Sequence, residues 1–481
     1  MPSIKQQTIK SAKWNFIDRI ATQGIQFLLG IVMARFLAPS DYGAIGMLAI
    51  FFAVSQTFID SGFSAALIRK KEPTEDDFST TFYFNFAVSL IVYAILFFIA
   101  PLVAEFFKMP ILCPVLRVQA VTLVINAVMA VQVAMLNIKL DFKSLAKRNI
   151  TASFISGTCG VVLAYFDYGI WALVFQQIIA AIFNLFFICA VCRWMPKAKF
   201  NISSFKELGA FGSRLLASGL LHTVYYNLTT FAIGKFYSAK DLGFYTRGIQ
   251  FAHVPNYAIN GVLGTVTYPI LAKLQDDEDR LIFVYRKYIR ITSLCIFIFS
   301  GLICALAKPI ILFTLTEKWS PAIIFLHAFA FSAMFEHIST INLNLLKVKG
   351  RSDLFLKLEI IKKIIGLVIL FAAIPFGVLV ICLSKLFYCQ IAIVINTYYT
   401  GKLFHLGYLQ QMKDVFPYLI CCVFACLPAF AITFAGLPDI VTIVLGVSVS
   451  LFLYWFLLRN NPDMIELVEL FKEKFGKKIH V

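Results

Sequence analysis

The chain has 481 residues, of which 60% are hydrophobic and only 14% are charged, whereas a soluble globular domain carries about 25% charged residues. Its formal net charge of +17 does not predict nucleic-acid binding, because the basic residues lie in short loops between apolar runs. Those runs are roughly 20 residues long and recur from end to end, which predicts a polytopic α-helical membrane protein. The eleven cysteines lie almost entirely within the runs, so no disulfide framework is expected.

The apolar runs predict about fourteen transmembrane helices joined by short connections. The first run is too long and too polar for a cleavable signal peptide, so we expect a membrane helix there. The predicted spans cover residues 12–37, 42–68, 78–107, 114–137, 149–167, 169–193, 207–236, 241–271, 287–312, 320–346, 354–375, 377–400, 415–435 and 438–458. The expected fold class is therefore all-α.

Lysine and arginine are concentrated at one set of span ends. Residues 69–71, 139–148 and 347–357 carry such clusters, whereas the opposite ends offer few basic residues besides Lys108 and Lys318. Cytoplasmic loops of membrane proteins carry an excess of Lys and Arg. The pattern predicts that both termini are cytoplasmic.

A short turn recurs at a constant offset of 200 residues, and we call residues 36–43 and 236–243 the repeated turns. Their matching pairs are Phe36 and Phe236, Asp41 and Asp241, and Gly43 and Gly243. Six predicted spans lie between the two turns, and an even number places both on the same, outer face. The recurrence therefore predicts a parallel repeat with a pseudo-two-fold axis along the membrane normal.

The repeat predicts how the chain is divided. We expect a six-helix lobe at residues 1–200, a second six-helix lobe at 201–405, two additional transmembrane helices at 406–458, and a cytoplasmic amphipathic tail at 459–481. In the tail, Asn461 suits a helix cap and the apolar residues that follow keep helical spacing. The lysines among them indicate a helix lying on the anionic cytoplasmic leaflet, with a solvated helix or a disordered tail as the alternatives.

Two predicted spans carry a face of polar side chains at helical spacing. On the first span this face comprises Asn15, Arg19, Thr22 and Gln26. On the seventh it comprises Arg214, Ser218, Tyr225 and Thr229, with His222 at its margin. Such a face is too costly to expose to lipid, so both are predicted to face protein or water.

The eighth span also carries polar residues at bilayer depth, Arg247, Asn256 and Asn260. On an ideal helix Arg247 points away from the two asparagines. Pro255 interrupts the helical phase, so convergence of the three side chains remains open.

Ionisable residues elsewhere in the spans have two interpretations. Asp60, Glu336 and His337 are candidates either for coupling to an ion or for structural pairing with a neighbour. Arg19 has two candidate acidic partners, Asp18 and Asp60. A structural ion pair is therefore the alternative to a binding role for Arg19.

No pattern in the sequence indicates catalysis. It contains no Gly-rich nucleotide loop, no metal-ligand spacing and no nucleophile motif with partners. We expect a protein that is not an enzyme and has no cofactor. The cytoplasmic loops are too short for an ATPase domain, so a gradient or the membrane potential is expected to supply energy.

Several segments together resemble one family. They are residues 36–43 (FLAPSDYG), 62–68 (GFSAALI), 77–80 (DFST), 242–248 (LGFYTRG), 268–277 (YPILAKLQDD), 319–322 (WSPA) and 349–353 (KGRSD). The chain is similar in these segments to the Wzx-type polysaccharide flippases of the multidrug/oligosaccharidyl-lipid/polysaccharide exporter superfamily. The resemblance covers nearly the whole chain.

The resemblance implies twelve to fourteen helices in two lobes and transport by alternating access. The implied substrate is an undecaprenyl-pyrophosphate-linked oligosaccharide, moved from the inner to the outer leaflet of the bacterial cytoplasmic membrane. Capsule, O-antigen or exopolysaccharide synthesis is the implied context, with the bilayer, a polymerase and other glycan assembly proteins as partners. No nucleic acid is expected.

A pyrophosphate cannot cross hydrocarbon alone, and a buried guanidinium can offer it paired hydrogen bonds. The expected substrate-binding residues are Arg19, Arg214, Arg247, Asn15, Gln26, His222, Tyr225, Asn256 and Asn260. A multidrug/cation antiporter of the same superfamily is the first alternative, although its cleft would be acidic or aromatic. A membrane polysaccharide polymerase is the second, and it would need a large outer loop that the sequence lacks.

Overall fold

The computed structural model describes residues 4–60, 62–256 and 270–476. Helices dominate these ranges, which contain no β-strand. The helices are α1 (Ile4–Phe36), α2 (Pro39–Asp60), α3 (Phe63–Arg69), α4 (Glu75–Phe106), α5 (Leu112–Gln119), α6 (Val121–Ile138), α7 (Phe142–Tyr165), α8 (Ile170–Cys192), α9 (Ile202–Phe236), α10 (Ala239–Ala252), α11 (Glu278–Ala305), α12 (Ala307–Leu315), α13 (Ala322–Ala333), α14 (Glu336–Val348), α15 (Ser352–Ala373), α16 (Val378–Phe404), α17 (Tyr408–Ile432), α18 (Asp439–Leu458) and α19 (Pro462–Gly476). The predicted all-α membrane fold is confirmed.

Ten segments of the described ranges are helical, long and apolar enough to cross a bilayer. Three further predicted spans coincide with α7, α9 and α15, which have the necessary length but more polar residues. The eighth predicted span runs through residues 257–269, which lie outside the described ranges. The number fourteen therefore stays a prediction.

Some predicted spans are divided by a local break. The span 320–346 consists of α13 and α14, with the break at residues 334–335. The span 42–68 consists of α2 and α3, and Gly62 precedes α3 with a φ of 71°, a conformation that glycine adopts without strain. The break before α14 places Glu336 at a helix start midway through an apolar segment.

The chain forms two compact units, Met1–Gly243 and Phe244–Val481. The division falls within α10, so the first unit contains α1 to α9 and the second begins with the remainder of α10. Helix α9, which the sequence places in the second predicted lobe, packs against α2 within the first unit. The lobe boundary predicted near residue 200 is not tested by this division and stays a prediction.

The repeated turns start α2 and α10 with the same hydrogen bonds. The Asp41 carboxylate accepts a hydrogen bond at 2.9 Å from the backbone N–H of Ala38. The Asp241 carboxylate accepts one at 3.4 Å from the backbone N–H of Ser238 and another at 2.6 Å from its hydroxyl. The first N–H groups of a helix have no acceptor within the helix, and a carboxylate in the first turn is favourable there. This requirement explains why aspartate recurs at the 200-residue offset.

The two recurring glycines lie where the repeated turns cross. A Cβ added to Gly43 would overlap the carbonyl oxygen of Ala239 and lie 2.9 Å from its Cα. A Cβ added to Gly243 would overlap the carbonyl oxygen of Pro39 and lie 2.7 Å from its carbonyl carbon. Each turn therefore places its glycine against the first residue of the other helix, and the two contacts are related by the same 200-residue offset. Backbone approach this close requires the absence of a side chain.

Helix α9 contacts the segment that follows the end of α2. A Cβ on Gly62 would lie 2.7 Å from the carbonyl oxygen of Gly212. The Lys70 ammonium pairs with Glu207 of α9 and with Asp77 of α4, both at 2.9 Å. The hydrogen bonds to Glu207 and then Asp77 raise the pKa of Lys70, which keeps the ammonium charged. The segment that follows α2 is therefore anchored to α9 by a close backbone contact and an ion pair.

Helix α19 forms the predicted tail helix, and it is docked on the second unit. The side-chain oxygen of Asn461 accepts a hydrogen bond at 2.9 Å from the N–H of Asp463. The Asp463 carboxylate is only 7% exposed, pairs with Arg290 at 2.9 Å and accepts a hydrogen bond from the Tyr418 hydroxyl. Met464 is buried in the core of that unit. At the start of the helix the protein itself covers this apolar face. The position of the tail on the cytoplasmic leaflet stays a prediction.

We expect Asp463→Asn to destabilise the protein strongly. The change leaves the Arg290 guanidinium without its buried anion, and breaking such a pair costs about 3–5 kcal/mol. The matched control is Asp353→Asn, because Asp353 is 62% exposed in its pair with Arg351 and such pairs contribute little. Thermal unfolding of the purified protein in detergent measures both, and equal transition temperatures for the two variants would contradict the docked tail.

Candidate functional site

The polar face of α1 is divided between a neighbouring helix and the exposed surface. Gln26 donates a hydrogen bond at 3.4 Å to the Ser153 hydroxyl of α7, and Thr22 is part-buried. Asn15 and Arg19 are exposed on the same helix. Gln26 is exposed as well, so three of the four side chains of this face are exposed in the described part of the chain.

The Asp18 carboxylate is hydrogen-bonded to neutral side chains. Its carboxylate accepts hydrogen bonds from the Thr22 hydroxyl at 3.0 Å and from the Asn149 side chain at 2.8 Å. The Arg148 guanidinium in turn donates to the Asn149 side-chain oxygen at 2.7 Å. Asp18 is thus satisfied by α7 and by its own helix, without Arg19.

Asp60 likewise has a neutral partner. Its carboxylate accepts a hydrogen bond at 3.0 Å from Gln56, and the Gln56 side-chain oxygen accepts one at 3.4 Å from Asn126. Among the described residues, neither Asp18 nor Asp60 lies within 4 Å of Arg19, and Arg19 forms no ion pair there. The alternative of a structural pair for Arg19 is therefore not realised in this part of the chain.

Helix α9 exposes a face that is rotated slightly from the predicted one. Arg214, Ser218 and His222 are exposed, and the His222 ring stacks on the Tyr226 ring at a centroid distance of 6.2 Å. Tyr225 is part-buried instead. In the described ranges Arg214 has no acidic group within 4 Å. Two helices of the first unit thus each expose an arginine that has no acidic group within 4 Å in the part of the chain that the structure describes.

Arg247 lies in a different environment, in the second unit. It is only 5% exposed, donates a hydrogen bond to the Gln250 side chain, and its guanidinium carbon lies 5.9 Å from the centre of the Trp319 ring. The site prediction grouped Arg247 with Arg19 and Arg214. Arg247 differs from them because protein groups surround it.

Asn256 and Glu336 meet in the second unit. The Asn256 side chain donates to the carbonyl oxygen of Ala333 at 3.0 Å and to the Glu336 carboxylate at 3.1 Å. His253 Nδ1 lies 3.4 Å from the same carboxylate. Asn260, the other predicted asparagine, lies outside the described residues. Asn256 therefore contacts an acid, whereas Arg247 contacts Gln250 on its own helix and Trp319 from a later part of the chain.

His337 does not belong to this cluster. It is buried, its Nε2 lies 2.7 Å from the Ser293 hydroxyl, and its ring packs edge-on against Phe297. Successive residues on a helix point in directions about 100° apart, which separates His337 from Glu336. Three residues were proposed for ion coupling or structural pairing. Among the described residues, Asp60 is hydrogen-bonded to Gln56, His337 to Ser293, and Glu336 lies beside His253. Their roles stay predictions.

The comparison with protein families identifies the chain. Residues 32–324, more than half of its length, match the family described as polysaccharide biosynthesis protein. The chain belongs to this family. The predicted resemblance to Wzx-type flippases of the multidrug/oligosaccharidyl-lipid/polysaccharide exporter superfamily is confirmed.

Two relatives in the polysaccharide biosynthesis family cover most of the chain. The chain is 26% identical over 357 residues to the teichuronic acid biosynthesis protein TuaB of Bacillus subtilis (strain 168), with 74% of each chain covered. It is 23% identical over 366 residues to the lipopolysaccharide biosynthesis protein WzxC of Escherichia coli (strain K12), with 75% of this chain and 74% of WzxC covered.

A solved structure shares the fold of this family member. The lipid II flippase MurJ, in an inward closed conformation, matches with a TM-score of 0.74 and 12% identity, covering 94% of this chain and 99% of MurJ. At that identity the likeness concerns the fold alone. The helical bundle described above therefore has the fold of a known membrane protein.

Sequence reasoning missed one member of the hydrogen-bond network around Asp18 and gave one lysine of the second unit no role beyond snorkelling. Arg148 stands in a basic loop sequence, so it is expected to mark only the cytoplasmic side, whereas it reaches the Asp18 network through Asn149. Lys385, which reads as a snorkelling residue, faces Phe329 with its ammonium 5.4 Å from the ring centre. Neither role has a local signature, because both depend on contacts between residues more than 50 positions apart.

Proposed function

We propose that the protein moves an undecaprenyl-pyrophosphate-linked oligosaccharide from the inner to the outer leaflet of the bacterial cytoplasmic membrane by alternating access. The observation that carries this proposal is that Arg19 and Arg214 stand exposed on two long helices, without an acidic group within 4 Å among the described residues. A guanidinium at bilayer depth is costly unless it is paired. An anionic substrate supplies the missing partner.

The chemistry of the proposed substrate fits these residues. A pyrophosphate carries several negative charges, and a guanidinium binds phosphate oxygens with two parallel hydrogen bonds. Asn15 and His222 are exposed on the same two helices as the arginines and offer neutral hydrogen bonds to sugar hydroxyls. Arg247 and Asn256, in the second unit, are proposed as further contacts. The prenyl chain stays in the lipid.

Family membership supports the same proposal. The relatives TuaB and WzxC are named for the biosynthesis of teichuronic acid and lipopolysaccharide. We infer that this chain likewise serves a surface polysaccharide, together with a polymerase and other glycan assembly proteins. Its role is transport rather than catalysis.

Reconstitution in liposomes tests the function. The probe is an undecaprenyl-pyrophosphate-linked N-acetylglucosamine that carries a fluorophore on the sugar, and a membrane-impermeant reductant quenches only the outer leaflet. We expect the protein to make nearly all of the probe accessible within minutes, whereas protein-free vesicles protect about half. Quenching that stops at half in both samples would contradict the proposal.

The first alternative, a multidrug/cation antiporter, is tested in the same vesicles. Such a protein would move a lipophilic cation such as ethidium in exchange for protons. The exposed arginines disfavour a cationic substrate by like-charge repulsion. Ethidium accumulation together with an immobile lipid probe would favour the antiporter.

The proposed orientation gives a prediction about topology. We expect alkaline phosphatase to be active when fused after Lys108 or Gly436, because these positions follow an odd number of predicted spans. Fusions after Lys71 or Lys349 should be inactive, since basic residues hold these ends in the cytoplasm. Enzyme activity in whole cells, normalised to fusion abundance, is the measurement. Activity after Lys71 or Lys349 would show that the orientation is inverted.

A further inference from the structure

A further polar cluster lies within the second unit. It consists of His253 and Asn256 after α10, Glu336 at the start of α14, and Lys385 on α16. The Glu336 carboxylate lies 3.4 Å from His253 Nδ1 and accepts a hydrogen bond at 3.1 Å from the Asn256 side chain. Its charge and that of Lys385 act on each other, and both act on His253. Two basic residues therefore share a single acidic residue.

Lys385 has no direct anionic partner within the ranges that the structure describes. It stands seven residues into α16, a segment long and apolar enough to span a membrane, at roughly 10 Å from the helix start. Among the described residues its ammonium makes no hydrogen bond and lies within 4 Å of no carboxylate, and its neighbour is the Phe329 ring. A lysine in such a position is expensive unless an anion compensates it.

The Glu336 carboxylate is accessible, with 36% of the side chain exposed. The break at residues 334–335 places it at the start of α14, where the N–H groups of the first turn favour negative charge. An anion that approached Lys385 and His253 would experience the same electrostatic field as the Glu336 carboxylate. It would compete with the carboxylate for the same donors.

We propose that Lys385, His253 and Asn256 form a subsite for the diphosphate head group of a membrane lipid, and that Glu336 occupies this subsite as an internal competing anion when no substrate is bound. The proposal rests on the proposed function and adds a second anion site to it. Its consequence is a two-step path, in which the head group displaces Glu336 from His253 and Asn256. Release of the head group restores the internal contacts.

Binding measurements on the full chain in lipid nanodiscs test the inference. The probe is undecaprenyl pyrophosphate, the uncharged control is undecaprenol, and Lys357→Met on the exposed side of α15 is the matched control variant. We expect Glu336→Gln to tighten binding of the diphosphate lipid about ten-fold, because the competing charge is removed. Lys385→Met should weaken it about ten-fold or more, the effect of losing a charge-assisted hydrogen bond. Neither variant should change the affinity for undecaprenol.

Other results of these measurements would contradict the inference or the proposed function. If Glu336 is only a structural partner, Glu336→Gln lowers the thermal unfolding temperature and leaves the affinity unchanged or weaker, which overturns the inference. This variant decides the question even where Lys385→Met fails to insert. Inorganic pyrophosphate that binds as tightly as the lipid would overturn the assignment to a lipid head group. A wild-type protein that does not distinguish the diphosphate lipid from undecaprenol would instead refute the proposed function itself.

Discussion

Replacing Gly43 with alanine should abolish accumulation of the folded protein in the membrane. The added Cβ would overlap the carbonyl oxygen of Ala239, a backbone atom that cannot move away by rotating a side chain. Overpacking in a core costs about 1–3 kcal/mol where side chains can adjust, and more where they cannot. Gly243→Ala should have the same effect, because its Cβ would overlap the carbonyl oxygen of Pro39.

Size-exclusion chromatography of a fluorescent fusion measures this effect as the height of the monodisperse peak. The matched control is Gly24→Ala in α1, where an added Cβ meets no atom within 4 Å and alanine favours the helix. We expect the control to retain the full peak while Gly43→Ala and Gly243→Ala lose most of it. Normal accumulation of both variants would show that the repeated turns do not cross at these glycines.

Arg19→Ala and Arg214→Ala should each slow lipid transport strongly while leaving abundance unchanged. Each arginine is exposed and lacks an acidic partner within 4 Å among the described residues, so its removal leaves no buried carboxylate behind. Hydrogen bonds to a charged group contribute about 1.5–3 kcal/mol each, which predicts a rate lower by roughly 10- to 100-fold. The lysine variants should recover only part of the rate, since an ammonium cannot form the planar pair of hydrogen bonds.

The rate of fluorophore quenching in liposomes measures transport, and thermal unfolding measures stability. Arg280→Ala, on an exposed first turn of α11, is the control and should behave as wild type. A structural role for Arg19 predicts the reverse outcome, in which Arg19→Ala loses stability and Arg19→Ala with Asp60→Ala regains both stability and transport. That outcome would remove Arg19 from the proposed site.

The sequence by itself determined the class of fold and the position of most helices. A bilayer requires about 20 consecutive apolar residues for each crossing, so the helix bounds follow from composition within short windows. The recurrence of Asp41 and Gly43 at 241 and 243 was also visible. The recurrence of aspartate has a local cause, because a carboxylate in the first turn of a helix interacts favourably with the N–H groups there.

Only the tertiary structure decided which polar residues have partners. Asp18 and Arg19 are adjacent in the chain, yet Asp18 is bound by Asn149, 131 positions away, and Arg19 stays exposed. Asp463 binds Arg290 across 173 positions, which docks a tail that its own pattern describes as a surface helix. Helical periodicity specifies a face but not what covers it. The partner of a charged group depends on contacts between distant segments. Those contacts leave Arg19 exposed in the first unit and bring His253 and Asn256 to Glu336 within the second.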